Sequence, residues 1–134
     1  MIVLDEQLLG RNVEIEIDRW HKGSVVFINE LRPNMVIKDE YVPLILREQK
    51  LPTFVTINVL DFWRKTPIDK RYCIVCLQAK DRDVPKIPDL LRALLSHNNF
   101  AAKKKRAGLI IRVTLGGRVK YYGKDDEKDR ELNL

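Results

Sequence analysis

The sequence predicts a single α/β domain of three layers: a mostly parallel sheet, helices on both of its faces, and a C-terminal β-hairpin. Three observations carry this expectation. Runs such as MIVL (1–4) and RYCIVCLQ (71–78) are apolar at nearly every central position, as in strands covered on both faces. Between such runs lie segments with helical spacing, so strand and helix alternate along the chain. The length of 134 residues, with 45% hydrophobic and 33% charged side chains, suits one globular unit with a real core.

MIVL opens as a short buried strand. Residues 6–20, EQLLGRNVEIEIDRW, fit two patterns: Leu9, Val13, Ile17 and Trp20 form a helical stripe, whereas Val13, Ile15 and Ile17 alternate as a strand would. Leu8, Leu9 and Trp20 extend only the first pattern, so a helix is expected, broken by HKG. SVVFI (24–28) is the second strand, rich in β-branched and aromatic residues. A helix is expected over 38–50, with Asp39 as its N-cap, Tyr41, Leu44 and Ile45 on one face, and Pro43 near the first turn. LPTFVT (51–56) is a third strand and 71–78 a fourth. Residues 84–100 read as a helix turning Ile87, Leu90, Leu91, Leu94 and Leu95 inward. AGLIIRVT (107–114) and RVKYY (118–122) are strands joined by an LGG turn. The highly charged residues 124–134 are expected to fray, which places the domain at 1–123 and a tail after it.

The net charge of +6 is unevenly spread. Residues 1–70 carry 10 Lys/Arg against 11 Asp/Glu, residues 71–123 carry 12 against 3, and residues 124–134 carry 3 against 5. A positive excess confined to one stretch raises the expectation of a polyanionic partner, most often nucleic acid. Lys103, Lys104, Lys105 and Arg106 read either as a solvated loop or, with Arg112, Arg118 and Lys120 on the following hairpin, as a phosphate-contacting surface. Tyr121 and Tyr122 could stack on bases, although one of two adjacent strand residues must face the core. No run approaches the roughly 20 apolar residues of a membrane span, and no basic segment followed by an apolar one marks secretion. Two cysteines make no disulfide framework, so a reducing, cytoplasmic setting is the expectation. Cys73 and Cys76 stand three apart on a strand and point to opposite faces, which excludes a shared zinc. His21 and His97 have no partner at ligand spacing.

Open α/β sheets bind ligands outside the C-terminal ends of their strands. Here acidic or amide residues follow each early strand: Asp5 and Glu6 after the first; Glu30, then Asp39 and Glu40, after the second; Asn58 and Asp61 after the third; Asp81 and Asp83 after the fourth. Each also has a local reading as a cap or turn residue.

Three segments in this order, VLDEQL (3–8), KDEYV (38–42) and FVTINVLDFW (54–63), resemble the PIN-like domain family, and in particular its short stand-alone bacterial members. Those proteins open with a strand leading into Asp-Glu-Asn, start a helix near an acidic cluster, and follow a Val-Thr strand end with Asp-x-Asp-Phe. The resemblance implies a ribonuclease that uses Mg²⁺ or Mn²⁺. Asp5, Asp39 or Glu40, and Asp61 would be the catalytic residues, with Asp5, Asp39 and Asp61 on the metal and Glu6, Asn58 and Asp81 in support. Lys103–Arg106, Arg118 and Lys120 would then hold the RNA backbone. The resemblance further implies a small antitoxin partner or a homodimer. The chain departs from the pattern at Asn58, where the first acid of Asp-x-Asp-Phe falls on an amide with one extra residue before Asp61, and at Gln7, which replaces Asn. A non-catalytic nucleic-acid or protein-binding module on the same fold is the alternative.

Overall fold

The computed structural model describes residues 1–134. One seven-stranded sheet runs through it: β1 (Ile2–Leu4), β2 (Val25–Phe27), β3 (Thr53–Thr56), β4 (Cys73–Gln78), β5 (Ile110–Thr114), β6 (Arg118–Tyr122) and β7 (Arg130–Asn133), in the order β2-β1-β3-β4-β5-β6-β7. The first five are parallel, while β6 and β7 join antiparallel. All six strands read from the sequence form, and the α/β class with a mostly parallel sheet is as expected. No helix is long and apolar enough to cross a membrane.

The helices are α1 (Val13–Asp18), α2 (Val42–Arg47), α3 (Val59–Phe62), α4 (Ile87–Ser96) and α5 (Lys103–Arg106), most of them shorter than their apolar stripes suggest. Gly10 (φ +76) and Asn12 (φ 61) turn the chain left-handed just before Val13. That break splits residues 6–20 into a 3-10 turn, Glu6–Leu8, and α1. The expected helix over 38–50 likewise becomes a 3-10 turn, Asp39–Tyr41, leading into α2. Lys38, not Asp39, holds the cap position there, and no side chain caps the turn.

Alternate strand residues divide between two cores. Leu4, Val55 and Val75 pack with Val13 and Ile17 of α1 and Ile87, Leu91 and Leu94 of α4. Val3, Phe54 and Ile74 pack on the opposite face with Val42, Ile45 and Leu46 of α2 and Phe62 of α3. The two thiols of CIVC follow the same alternation: Cys73 lies in the first core and Cys76 in the second. Both are free and buried, and burial pushes each thiol up to about 12.

The chain moves from β1 outward to β2, then crosses back over β1 to β3, β4 and β5. The direction of winding therefore reverses between β1 and β3, which opens a crevice beyond their C-terminal ends. A second consequence concerns the helices. The connections β3 to β4 and β4 to β5 run in the same direction, yet α3 lies on one face and α4 on the other. The two crossovers thus have opposite hands, an uncommon arrangement for parallel strands. Because α4 crosses on the α1 side, the α2/α3 core reaches β5 and β6 only at Ile110 and Tyr122, and the rim half of that face carries no helix.

The segment expected to fray is partly paired. Arg130–Asn133 form β7 against β6, in register Lys120 with Glu131 and Val119 with Leu132. The Lys120 ammonium lies 3.4 Å from Glu131, the Arg130 guanidinium stacks 4.6 Å from the Tyr121 ring, and Arg64 forms an ion pair with Asp129. A charged edge strand of this kind also discourages edge-to-edge association.

Candidate functional site

Asp5 immediately follows β1 and continues its alternation. Its side chain therefore falls on the α2/α3 face, beside Thr56 at the end of β3. Asp5 is only 5% exposed, and the Thr56 hydroxyl donates to its Oδ2 at 2.6 Å. Thr56 Oγ1 in turn accepts the Asn58 N–H at 3.0 Å. Asn58 Nδ2 then donates to Asp39 Oδ2 at 3.2 Å and to Asp61 Oδ2 at 2.7 Å, while its Oδ1 accepts the Asp61 N–H at 3.3 Å as the cap of α3. One hydrogen-bonded chain thus links Asp5, Thr56, Asn58, Asp39 and Asp61, drawn from the ends of β1 and β3 and the starts of α2 and α3. It sits at the crevice where winding reverses.

The local readings of these residues give way to this arrangement. Asp5 makes no side-chain capping bond of normal geometry and Asp39 caps nothing. Glu6 is exposed beside the cluster, near enough for its charge to act on both Asp5 and Asp39. Glu40 is exposed and lines a groove of about 850 Å³ that begins at Asp39 and Asp61 and is flanked by Lys38, Arg47 and Lys65. Asp81 lines a depression next to Asn58, but its carboxylate is held by Arg11 at 2.9 Å and makes no hydrogen bond to the cluster. Thr56 is the residue that sequence reasoning missed. The Val-Thr strand end marked it as a motif position, but its role as bridge depends on the pairing of β1 with β3.

Burial raises the Asp5 carboxyl above its ordinary value, outweighing the Thr56 hydrogen bond. Asp39 is raised to about 6, first by burial, then by hydrogen bonding with Asp61 and by the charges of Asp5, Asp61 and Glu6. Asp61 is lowered, chiefly by the Asn58 hydrogen bond. In mild acid the pair therefore shares a proton that lies mainly on Asp39. The folded state binds a proton on Asp39 between about pH 4 and 6 that the unfolded chain has already lost, so stability falls as pH rises through that window. In EDTA, the melting temperature of the wild type should decline from pH 4 to 6.5. Asp39→Asn should flatten that decline; an identical profile in the variant would show that Asp39 does not carry the charge repulsion.

The donor set is all oxygen, as Mg²⁺ or Mn²⁺ requires. No three acidic, His or Cys side chains stand close enough to enclose one ion together. Asn58 supplies the reason in part: its amide N–H₂ occupies the space between Asp39 and Asp61. The arrangement fits a hydrated ion held by one or two carboxylates, the usual mode for Mg²⁺, rather than a closed cage.

The proposed basic surface divides in two. Lys103, Lys104 and Lys105 are exposed on α5, but α5 precedes β5 and packs at the N-terminal ends of the strands. Arg106 is 3% exposed, donating Nε to Thr53 Oγ1 at 2.7 Å and its Nη1 to the carbonyls of Phe100 and Ala101 at 2.9 and 3.0 Å. It is a structural clamp on the first residue of β3, not a phosphate contact, and this corrects the expectation for Arg106. The three lysines lie at the opposite end of the sheet from the carboxylates. Tyr121 and Tyr122 are 7% and 4% exposed, so neither offers a face to a base. Arg118 is exposed at the carboxylate end, and Lys120 lies on the same face, paired with Glu131.

A seven-stranded α/β sheet with a bridged carboxylate cluster at its point of winding reversal is the class of molecule these observations define. No family model matches the chain, and no curated protein or solved structure is significantly similar to it.

Proposed function

We propose that this chain is a PIN-like ribonuclease that cleaves RNA phosphodiesters with Mg²⁺ or Mn²⁺. The observation that supports this most is the meeting of Asp5, Asp39 and Asp61, from sequence positions far apart, through Thr56 and Asn58 at one rim of the sheet. A bound divalent ion at such a site activates water and stabilises charge on a phosphodiester under attack. Asp61 is kept ionised by Asn58, and Asp5 brings a second carboxylate to the same rim. Asp39, brought to the same rim by the Asn58 amide, supplies a third carboxylate that would help hold the ion. The groove beside Lys38, Arg47 and Lys65 gives a polyanion a route to the carboxylates. The buried free thiols accord with a reducing cytoplasm.

The second reading is a catalytically silent module that binds nucleic acid or protein. Asn58 favours it, because an amide replaces a carboxylate and already joins Asp39 to Asp61. Met35, Val36, Tyr41 and Leu44 are 61%, 87%, 47% and 51% exposed, an apolar patch suited to a protein partner such as a small antitoxin or a second copy of the chain.

The two readings part in one experiment. The wild type is melted with Mn²⁺ and with EDTA, and a labelled RNA is incubated under both conditions. The ribonuclease reading expects Mn²⁺ to raise the melting temperature, since an ion bound only by the folded state stabilises it, together with cleavage that EDTA stops. RNA binding without cleavage, indifferent to EDTA, would establish the silent module instead.

A further inference from the structure

The strand register places two kinds of charge on one face and one rim of the sheet. On the α2/α3 face, Thr56 of β3 pairs with Cys76 of β4, Cys76 with Arg112 of β5, Arg112 with Lys120 of β6, and Lys120 with Glu131 of β7. Toward the rim, the next positions on this face are Gln78, which pairs with Thr114, and Arg118. Asp5 stands beside Thr56 at the other end of the row. With neighbouring strands roughly 4.8 Å apart, β5 and β6 lie about 10 and 14 Å from β3.

These groups are open to solvent for a topological reason. The β4 to β5 crossover passes over the far face, so no helix covers the rim beyond α3. Gln78 and Arg118 are exposed, and Arg112 and Thr114 are partly so. Trp63, just after α3, supports the Arg112 guanidinium 4.8 Å from its ring centroid and packs edge-on against Tyr122 at 5.0 Å. Neither Arg112 nor Arg118 has an acidic partner, whereas most of the other exposed arginines are paired: Arg11 with Asp81, Arg32 with Glu48, Arg64 with Asp129, Arg71 with Asp69 and Arg130 with Asp126. Two unpaired guanidiniums, one of them braced on an indole, lie in line with the carboxylate cluster but too far away to neutralise it.

We infer that this rim is the seat of a single RNA strand, with Arg112 and Arg118 holding backbone phosphates on one side of the carboxylate cluster and Gln78 and Thr114 offering hydrogen bonds between them. The inference rests on the ribonuclease reading for its choice of polyanion. Guanidinium groups suit phosphate because their planar donors bind it bidentately. A row one strand-step wide follows one backbone and leaves no platform for a second. The lysines at 103–105 take no part, since they stand at the other end of the sheet.

The test is fluorescence anisotropy with a labelled single-stranded oligouridine, in EDTA so that nothing is cleaved, across a range of salt. The double variant R112A/R118A should bind at least about tenfold more weakly, and the slope of log affinity against log salt should lose about 1.4, or roughly 0.7 for each phosphate contact removed. R118A alone, at an exposed position with no side-chain partner, should lose about half of that slope and guards against a misfolded double variant. The triple variant K103A/K104A/K105A should bind as the wild type does. Unchanged binding in R112A/R118A and R118A, or equal loss in the lysine variant, would overturn the assignment, as would a polyaspartate peptide competing as well as RNA. Manganese-dependent cleavage by R112A/R118A with unchanged kcat/KM would overturn the rim while leaving the ribonuclease reading intact. Arginine-dependent binding by a wild type that never cleaves would do the reverse.

Discussion

On the ribonuclease reading, Asp5→Asn is expected to abolish Mn²⁺-dependent RNA cleavage, by at least about a hundredfold, while leaving the fold as stable as before or more so. The catalytic half follows from charge. Asp5 carries one of the few carboxylates that meet at the rim, and an amide of the same shape has none. Loss of even part of the several kcal/mol that a metal centre contributes to charge stabilisation suffices, since roughly 1.4 kcal/mol is a factor of ten. The stability half follows from burial. Asp5 is 5% exposed and its carboxyl is raised chiefly by desolvation, so ionising it at neutral pH works against folding. An amide removes that cost, and the Thr56 hydroxyl can turn to accept from it. The variant's melting temperature in EDTA at pH 7.5 should therefore match or exceed the wild type's, and Mn²⁺ should raise it less. Undiminished cleavage by the variant would remove Asp5 from the chemistry. Loss of both cleavage and folding would show instead that its role is structural.

Arg106→Ala is expected to be the most destabilising single change among the basic residues, and to leave RNA binding untouched. The side chain satisfies Thr53 Oγ1 and two carbonyls in a site that is 3% exposed. Truncation leaves all three acceptors with fewer partners and opens a cavity at the start of β3. Hydrogen bonds from a charged group contribute about 1.5–3 kcal/mol each and do not simply add, so a total of about 3 kcal/mol is expected. For a chain of this length that corresponds to a fall of roughly 10 °C in melting temperature. Thermal melts of the variant beside K103A/K104A/K105A measure this directly, because the exposed lysines should cost almost nothing. Weakened RNA binding well below the melting temperature, with stability intact, would return Arg106 to the set of phosphate contacts.

The contrast between Arg106 and Arg118 shows where sequence reading ended. Both sit in the positively charged stretch, and nothing local separates a buried clamp from an exposed cation. The difference arises when α5 docks against the first residue of β3, a contact across 53 positions. Asp39 and Asp81 diverge for the same kind of reason. Each follows a strand and each opens a 3-10 turn, but Asn58 reaches one and Arg11 holds the other. The last strand was hidden because an edge strand exposes most of its side chains. The charged residues of RELN pair with Lys120 and stack on Tyr121 rather than alternating with apolar ones.

The amino-acid order alone determined the first six strands, the mostly parallel character of the sheet and the rim at which acidic residues gather, because apolar periodicity and strand-end position are local properties of a chain. Which charges meet was decided only by the tertiary structure. Winding reversal between β1 and β3 brings Asp5, Asp39 and Asp61 to Thr56 and Asn58, and the crossing of α4 to the far face leaves Arg112 and Arg118 uncovered. Electrostatic energy depends on distance in space, and sequence spacing fixes that distance only within a single helix, strand or turn.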